Sequence, residues 1–177
     1  MKRPVAIILG IFIFPFLSHA GSEMVTSKAT PKEVYEKVAE AANYLARYGE
    51  GGVKELQNPD GRFVWKNTYV MVVECEVNSC FPNPKADYVG MSLKKYKCYK
   101  TKKFYVLELC NKVRANPKGA WTEYWWPKPG YDQPQRRISF MMQVPDQPYQ
   151  VISSTYDDNT SLENLDKISK TATSGSD

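Results

Sequence analysis

The stretch from Gly119 to Tyr156 constrains this chain more than any other. It holds three runs rich in aromatic and β-branched residues, separated by two breaks. Such runs suit a pleated, half-buried surface. Pro127, Pro129, Gly130 and Pro134 mark the first break, and Pro145-Asp146-Gln147-Pro148 is a compact turn signal. Connections this short return each strand antiparallel beside the last. The stretch therefore reads as a three-stranded meander on which the rest of the chain packs, an α+β arrangement.

Side chains alternate along a strand. On the second run, Ile138, Phe140, Met142 and Val144 share a plain apolar face, while Arg137, Ser139, Met141 and Gln143 share a mixed one. On the first run, Thr122, Tyr124 and Trp126 share one face and Trp121, Glu123 and Trp125 the other. Apolar walls carrying a few placed polar groups are what a small-ligand pocket needs. The competing reading is that these aromatics only fill a core.

The first twenty residues read as an export signal. Lys2 and Arg3 precede an apolar run from Val5 to Leu17, and Ser18-His19-Ala20 offers small residues for cleavage after Ala20. The run is shorter than the roughly 20 residues of a membrane span. The expected product is periplasmic or secreted and not membrane-embedded. Cleavage removes His19, the sole histidine, and leaves 177 − 20 = 157 residues. Catalysis by a His-containing triad and His-containing zinc sites are then excluded. The basic count falls from 24 to 22 against 19 acids, a net charge of +3, too mild to imply nucleic acid. No glycine-rich phosphate loop is present, and Asp157 and Asp158, adjacent on a strand end, point apart. The chain reads as neither an enzyme nor a cofactor or metal carrier.

Residues 21–29 read as a disordered lead. Thr30-Pro31-Lys32-Glu33 is a capping box with proline at the first helical position. Val34, Val38, Ala41, Ala42 and Leu45 form an apolar stripe, and Gly49 ends the helix. A short helix is expected from Gly52 to Leu56, then a turn at Asn58-Pro59-Asp60-Gly61. Phe63 to Val77 reads as the next sheet portion, a central strand covered on both sides with Trp65, Lys66 and Asn67 before it at an edge. Tyr69, Met71, Val73 and Cys75 lie on one face of it, and Val70 and Val72 on the other. Lys94 to Lys103 reads as a solvated surface and Phe104 to Val113 as a helix. A terminal helix is expected over 159–170, with Leu162, Leu165 and Ile168 on its apolar face, before a disordered tail. The domain is expected to span 30–158.

Four cysteines in an exported chain read as two disulfides, with three pairings open. Their spacing lacks the paired knuckles of zinc ribbons. Cys75 on the strand and Cys110 on a covering helix favour Cys75–Cys110, with Cys80–Cys98 closing the irregular loop between.

Several stretches together resemble the single Cache domain family, type 2, in its free-standing exported members. They are Gly61 to Val70, Trp121 to Gly130, Arg136 to Phe140, Val144-Pro145, and Pro148 to Val151 running into Tyr156-Asp157-Asp158. The resemblance covers about residues 31–158. It implies a PAS-like fold with a long N-terminal helix on one face of an antiparallel sheet and a ligand pocket on the other. It also implies a sensor for a small organic acid or amine, acting with a membrane receptor or kinase. Arg137 would hold a carboxylate by charge-assisted hydrogen bonds, and Tyr69, Tyr124, Trp126 and Tyr156 would form walls. Phe81 stands where many relatives carry histidine. A bulky group there would close the pocket and favour the alternative, a protein-interaction module filled by its own side chains.

Overall fold

The structure, a computed structural model, describes residues 27–81, 91–128 and 130–173. The expected signal peptide and the last residues of the expected tail lie outside them. Helix α1 (Pro31–Tyr48) begins at the capping box: the Glu33 amide donates to the Thr30 hydroxyl at 3.2 Å, and the Thr30 amide donates to the Glu33 carboxylate at 2.8 Å. All five residues of the stripe are buried, together with Tyr35. Gly49 ends the helix at φ +54, a backbone that favours glycine. Helix α2 (Glu50–Gln57) starts directly after it, slightly earlier than expected.

The sheet portion expected over Phe63–Val77 is divided between two sheets. Lys66 takes φ +48 and reverses the chain. Strands β1 (Val64–Trp65) and β2 (Thr68–Tyr69) pair as a separate antiparallel ribbon. Only β3 (Met71–Glu74) joins the main sheet, edged by β4 (Ser79–Cys80). Helix α3 (Tyr105–Ala115) follows, then the meander of β5 (Ala120–Trp126), β6 (Gln135–Gln143) and β7 (Gln150–Tyr156). The main sheet is antiparallel with order β4-β3-β7-β6-β5. The middle strand is therefore β7, not the segment around Val70.

The sheet is covered on both faces, as the alternation predicts. Val70, Val72, Ile138, Phe140, Val144 and Val151 join the α1 stripe in one core. Val73, Tyr124, Met141 and Ile152 join Leu109 and Val113 of α3 in the other. The terminal helix α4 (Leu162–Thr173) places Leu165 fully inside the α1-side core, with Ile168 against it; Leu162 is exposed. The packed unit thus runs past the expected boundary at 158. It also starts earlier than expected. Ala29 is buried; its amide donates to Asn67 Oδ1, and its carbonyl accepts from the Thr155 hydroxyl at 2.7 Å.

Cys75 and Cys110 form a disulfide that straps α3 to the end of β3. The expected Cys80–Cys98 bridge is a correction: both remain buried thiols. Cys80 Sγ faces Met91 O at 3.3 Å and the Tyr96 hydroxyl at 3.6 Å. Cys98 Sγ instead turns to the end of β5 and accepts from the amides of Thr101 and Trp125. The two thiols are held by different neighbours.

Candidate functional site

A cavity of about 340 Å³ opens between the sheet and the start of α3. That lies within the range of roughly 300–1,000 Å³ of small-molecule pockets. Strand register builds its floor. Tyr124 of β5, Arg137 of β6 and Tyr156 of β7 stand directly opposite one another in a row. Thr122, Ser139 and Ser154 form the next row on the same face. Cross-strand partners place their Cβ atoms about 4.5–5.5 Å apart, so one cation is seated between two phenols.

The remaining walls come from several elements. β2 and β3 supply Tyr69 and Met71, β5 ends in Trp126, α3 begins with Tyr105 and Val106, and Tyr96 closes the short helical turn Leu93–Lys95. Tyr105 stacks on Tyr124, and Trp126 meets both rings edge-on. The Tyr124 and Ser139 hydroxyls are 3.0 Å apart, and the Tyr156 hydroxyl donates to the Pro127 carbonyl.

Arg137 is the single charged residue among the described lining residues. Its guanidinium lies over the Tyr156 ring, 5.1 Å from the centroid. Its Nε is buried without a hydrogen-bond partner among the described residues, and no salt bridge among them involves it. Burial works against its charge, but the phenols of Tyr124, Tyr105, Tyr156 and Tyr69 outweigh that and raise its pKa above the ordinary arginine value. Burial raises the phenols of Tyr105 and Tyr156.

Arg136, the neighbour in sequence, points the other way and is tied down. It pairs with Glu123 at 2.7 Å and donates to the carbonyls of Asp157 and Thr160. Asp157 Oδ1 in turn accepts from the amides of Asn159 and Thr160. These acids serve the strand end and lie outside the cavity lining. Among the described residues, no cluster of three metal-ligating side chains occurs.

Of the expected site residues, Tyr69, Tyr124, Trp126, Arg137 and Tyr156 all line this cavity. Phe81 does not, and its assignment is corrected. Its amide donates to Val72 O at 3.0 Å, prolonging the β4 pairing by one residue. Cys80 faces the α3 side, so alternation sends Phe81 through to the α1 side, edge-on to Tyr149 at 5.3 Å. Tyr105 and Tyr96 were not singled out from sequence. Tyr105, Leu109 and Val113 are spaced by four and form the buried stripe of α3; that spacing was the available signal.

The family model described as single Cache domain 2 matches residues 16–169. Among curated proteins, none is similar enough to this chain to count as a relative. One similar solved structure is described as the structural basis for carboxylic acid recognition by a Cache chemosensory domain. It is 17% identical with a TM-score of 0.59, covering 72% of this chain and 93% of its own. A second, a periplasmic sensor domain of a chemotaxis protein, is 25% identical with a TM-score of 0.50, covering 72% of this chain and 90% of its own.

Proposed function

Since this chain belongs to the single Cache domain 2 family, we propose that it is an exported sensor for a small organic acid, acting through a separate membrane partner. Arg137 carries this reading. It is a lone cation on the cavity floor with an unpartnered buried nitrogen and no acid opposite. A half-buried cation of this kind, with its Nε buried, is stabilised most by an anion that brings charge-assisted hydrogen bonds. An amine would meet the same cation with no carboxylate among the described lining residues, which separates the acid from the amine. The tyrosine and tryptophan walls suit a short apolar body, and the hydroxyls of Ser139, Ser153 and Ser154 suit its polar edges.

Carboxylic acid recognition belongs, as described, to one of the similar solved proteins; at that level of identity it supports the fold, and the acid here is read from Arg137. The alternative of a self-filled interaction module is weakened by the open cavity and by Phe81 lying on the opposite face. No helix among the described residues is long and apolar enough to cross a membrane, so the reading includes a partner that carries the signal.

Thermal-shift screening of the exported protein against short monocarboxylates, the matched amides and the matched amines tests the reading. A ligand at 100 times its dissociation constant stabilises by about 2.7 kcal/mol. Stabilisation by carboxylates, and not by amides or amines, is the expected result. Stabilisation by amines alone would overturn it.

A further inference from the structure

One strongly charged surface is not used by the cavity. Between Met91 and Leu107 the chain carries six lysines (94, 95, 97, 100, 102 and 103), no acid and no arginine. All six are exposed, and none enters a salt bridge among the described residues. The segment is ordered. Lys102 donates its amide to Cys98 O at 2.9 Å, Cys98 donates to Lys103 O at 2.8 Å, and Tyr99 donates to Trp125 O at 3.0 Å. The turn is thereby fastened to the end of β5, next to Lys128 and Tyr131. Of the acids near in sequence, Glu108 pairs with Lys112, and Asp132 directly follows Tyr131.

The same end of the sheet exposes three large aromatic residues, Tyr99 (49%), Phe104 (41%) and Tyr131 (53%). Lysines lie among them: Lys97 over Phe104, Lys100 over Trp125 and Lys128 over Tyr131 at 4.2 Å. Exposed aromatic rings interleaved with unpaired lysines match a membrane interface, where rings sit at headgroup depth and each nearby lysine adds electrostatic attraction to anionic lipid. A specific protein interface is enriched in arginine and depleted in lysine; this patch shows the reverse. From these observations we infer that the lysine–aromatic end of the sheet, Lys97–Phe104 with Lys128 and Tyr131, docks the protein on an anionic lipid bilayer. The Tyr99 ring rests edge-on against Trp126, a wall of the cavity, so docking places that wall beside the membrane.

The test is co-sedimentation of the exported protein with vesicles of phosphatidylcholine alone and with about one-third phosphatidylglycerol. Binding to the anionic vesicles only, falling as salt is raised, is the expected result. A variant with Lys97, Lys100, Lys102 and Lys103 all changed to glutamine should lose at least about tenfold in vesicle affinity. A charge-matched control changing Lys32, Lys54, Lys167 and Lys170 to glutamine should keep its affinity. Tyr99→Ser with Phe104→Ser should weaken binding that persists at high salt. Circular dichroism checks that each variant folds. Equal binding to neutral vesicles, equal loss in the control, or undiminished binding by the lysine variant overturns the inference. So does binding to acidic proteins with none to vesicles.

Discussion

The ring of Tyr105 lies flat on the ring of Tyr124, with centroids 3.5 Å apart and planes 6° from parallel. One residue opens α3 and the other stands beside Arg137 on β5, so the stack fixes the helix start over the cavity floor. Tyr105→Ala should remove the wall, lower stability by about 3–5 kcal/mol and weaken acid binding. Tyr105→Phe should preserve fold and cavity, because the stacking face remains. Denaturant unfolding and calorimetric titration of both variants check this. A Tyr105→Phe protein as unstable as Tyr105→Ala would show that the hydroxyl, not the stack, holds the helix.

Arg137→Gln should fold normally, since the apolar face of β6 lies on the opposite side. Losing a charge-assisted contact worth roughly 1.5–3 kcal/mol should reduce affinity for carboxylates about tenfold to a hundredfold or more, with little effect on neutral analogues. Titration calorimetry with whichever acid the screen finds is the measurement. Unchanged affinity removes Arg137 from the site.

Arg136 behaves in the opposite way. Arg136→Ala leaves Glu123 and the carbonyls of Asp157 and Thr160 without their donor and should cost about 2–3 kcal/mol, with cavity affinity retained when folded. The Asp157 carboxyl is held below its ordinary pKa: burial opposes this, but the amides of Thr160 and Asn159 outweigh it. A depressed folded-state pKa contributes stability above the unfolded value of about 3.9 and loses it as pH falls through the folded value. Wild type should therefore weaken below about pH 4, and Asp157→Asn should flatten that limb while being less stable at neutral pH.

Thiol titration distinguishes the observed disulfide from two bridges. In denaturant the protein should show two thiols, from Cys80 and Cys98, and four after reduction. Reducing Cys75–Cys110, which are 35 residues apart, should cost about 3–4 kcal/mol by the loop-entropy account. No thiols before reduction and four after it would mean that the second bridge forms.

Gly119→Ala should destabilise strongly and fold poorly. Gly119 takes φ +113, and a Cβ there would run into the Phe140 ring and come within 2.8 Å of Met141 O. Thermal melting within about 1 °C of wild type would contradict the packing at this strand start.

The sequence by itself determined the local and periodic features. The capping box at Thr30, the α1 stripe, the meander over Gly119–Tyr156 and the two faces of β6 follow from short-range hydrogen bonding and from a period of two. The identity of the lining strands was legible too, because Tyr124, Arg137 and Tyr156 sit at alternating positions on strands joined by short turns. Tertiary structure decided whatever depended on chain reversal or on neighbours distant in sequence. Lys66 turning at positive φ set β1 and β2 apart from the main sheet, and strand pairing put β7 in its middle. One step of alternation after Cys80 carried Phe81 out of the cavity, and Tyr105 became a wall only because the Cys75–Cys110 strap and the α3 stripe set that helix over β5. Cys80 and Cys98 show the same limit: spacing allowed a bridge, but each sulfur is aimed by a different local backbone, and disulfide geometry depends on those directions rather than on separation along the chain.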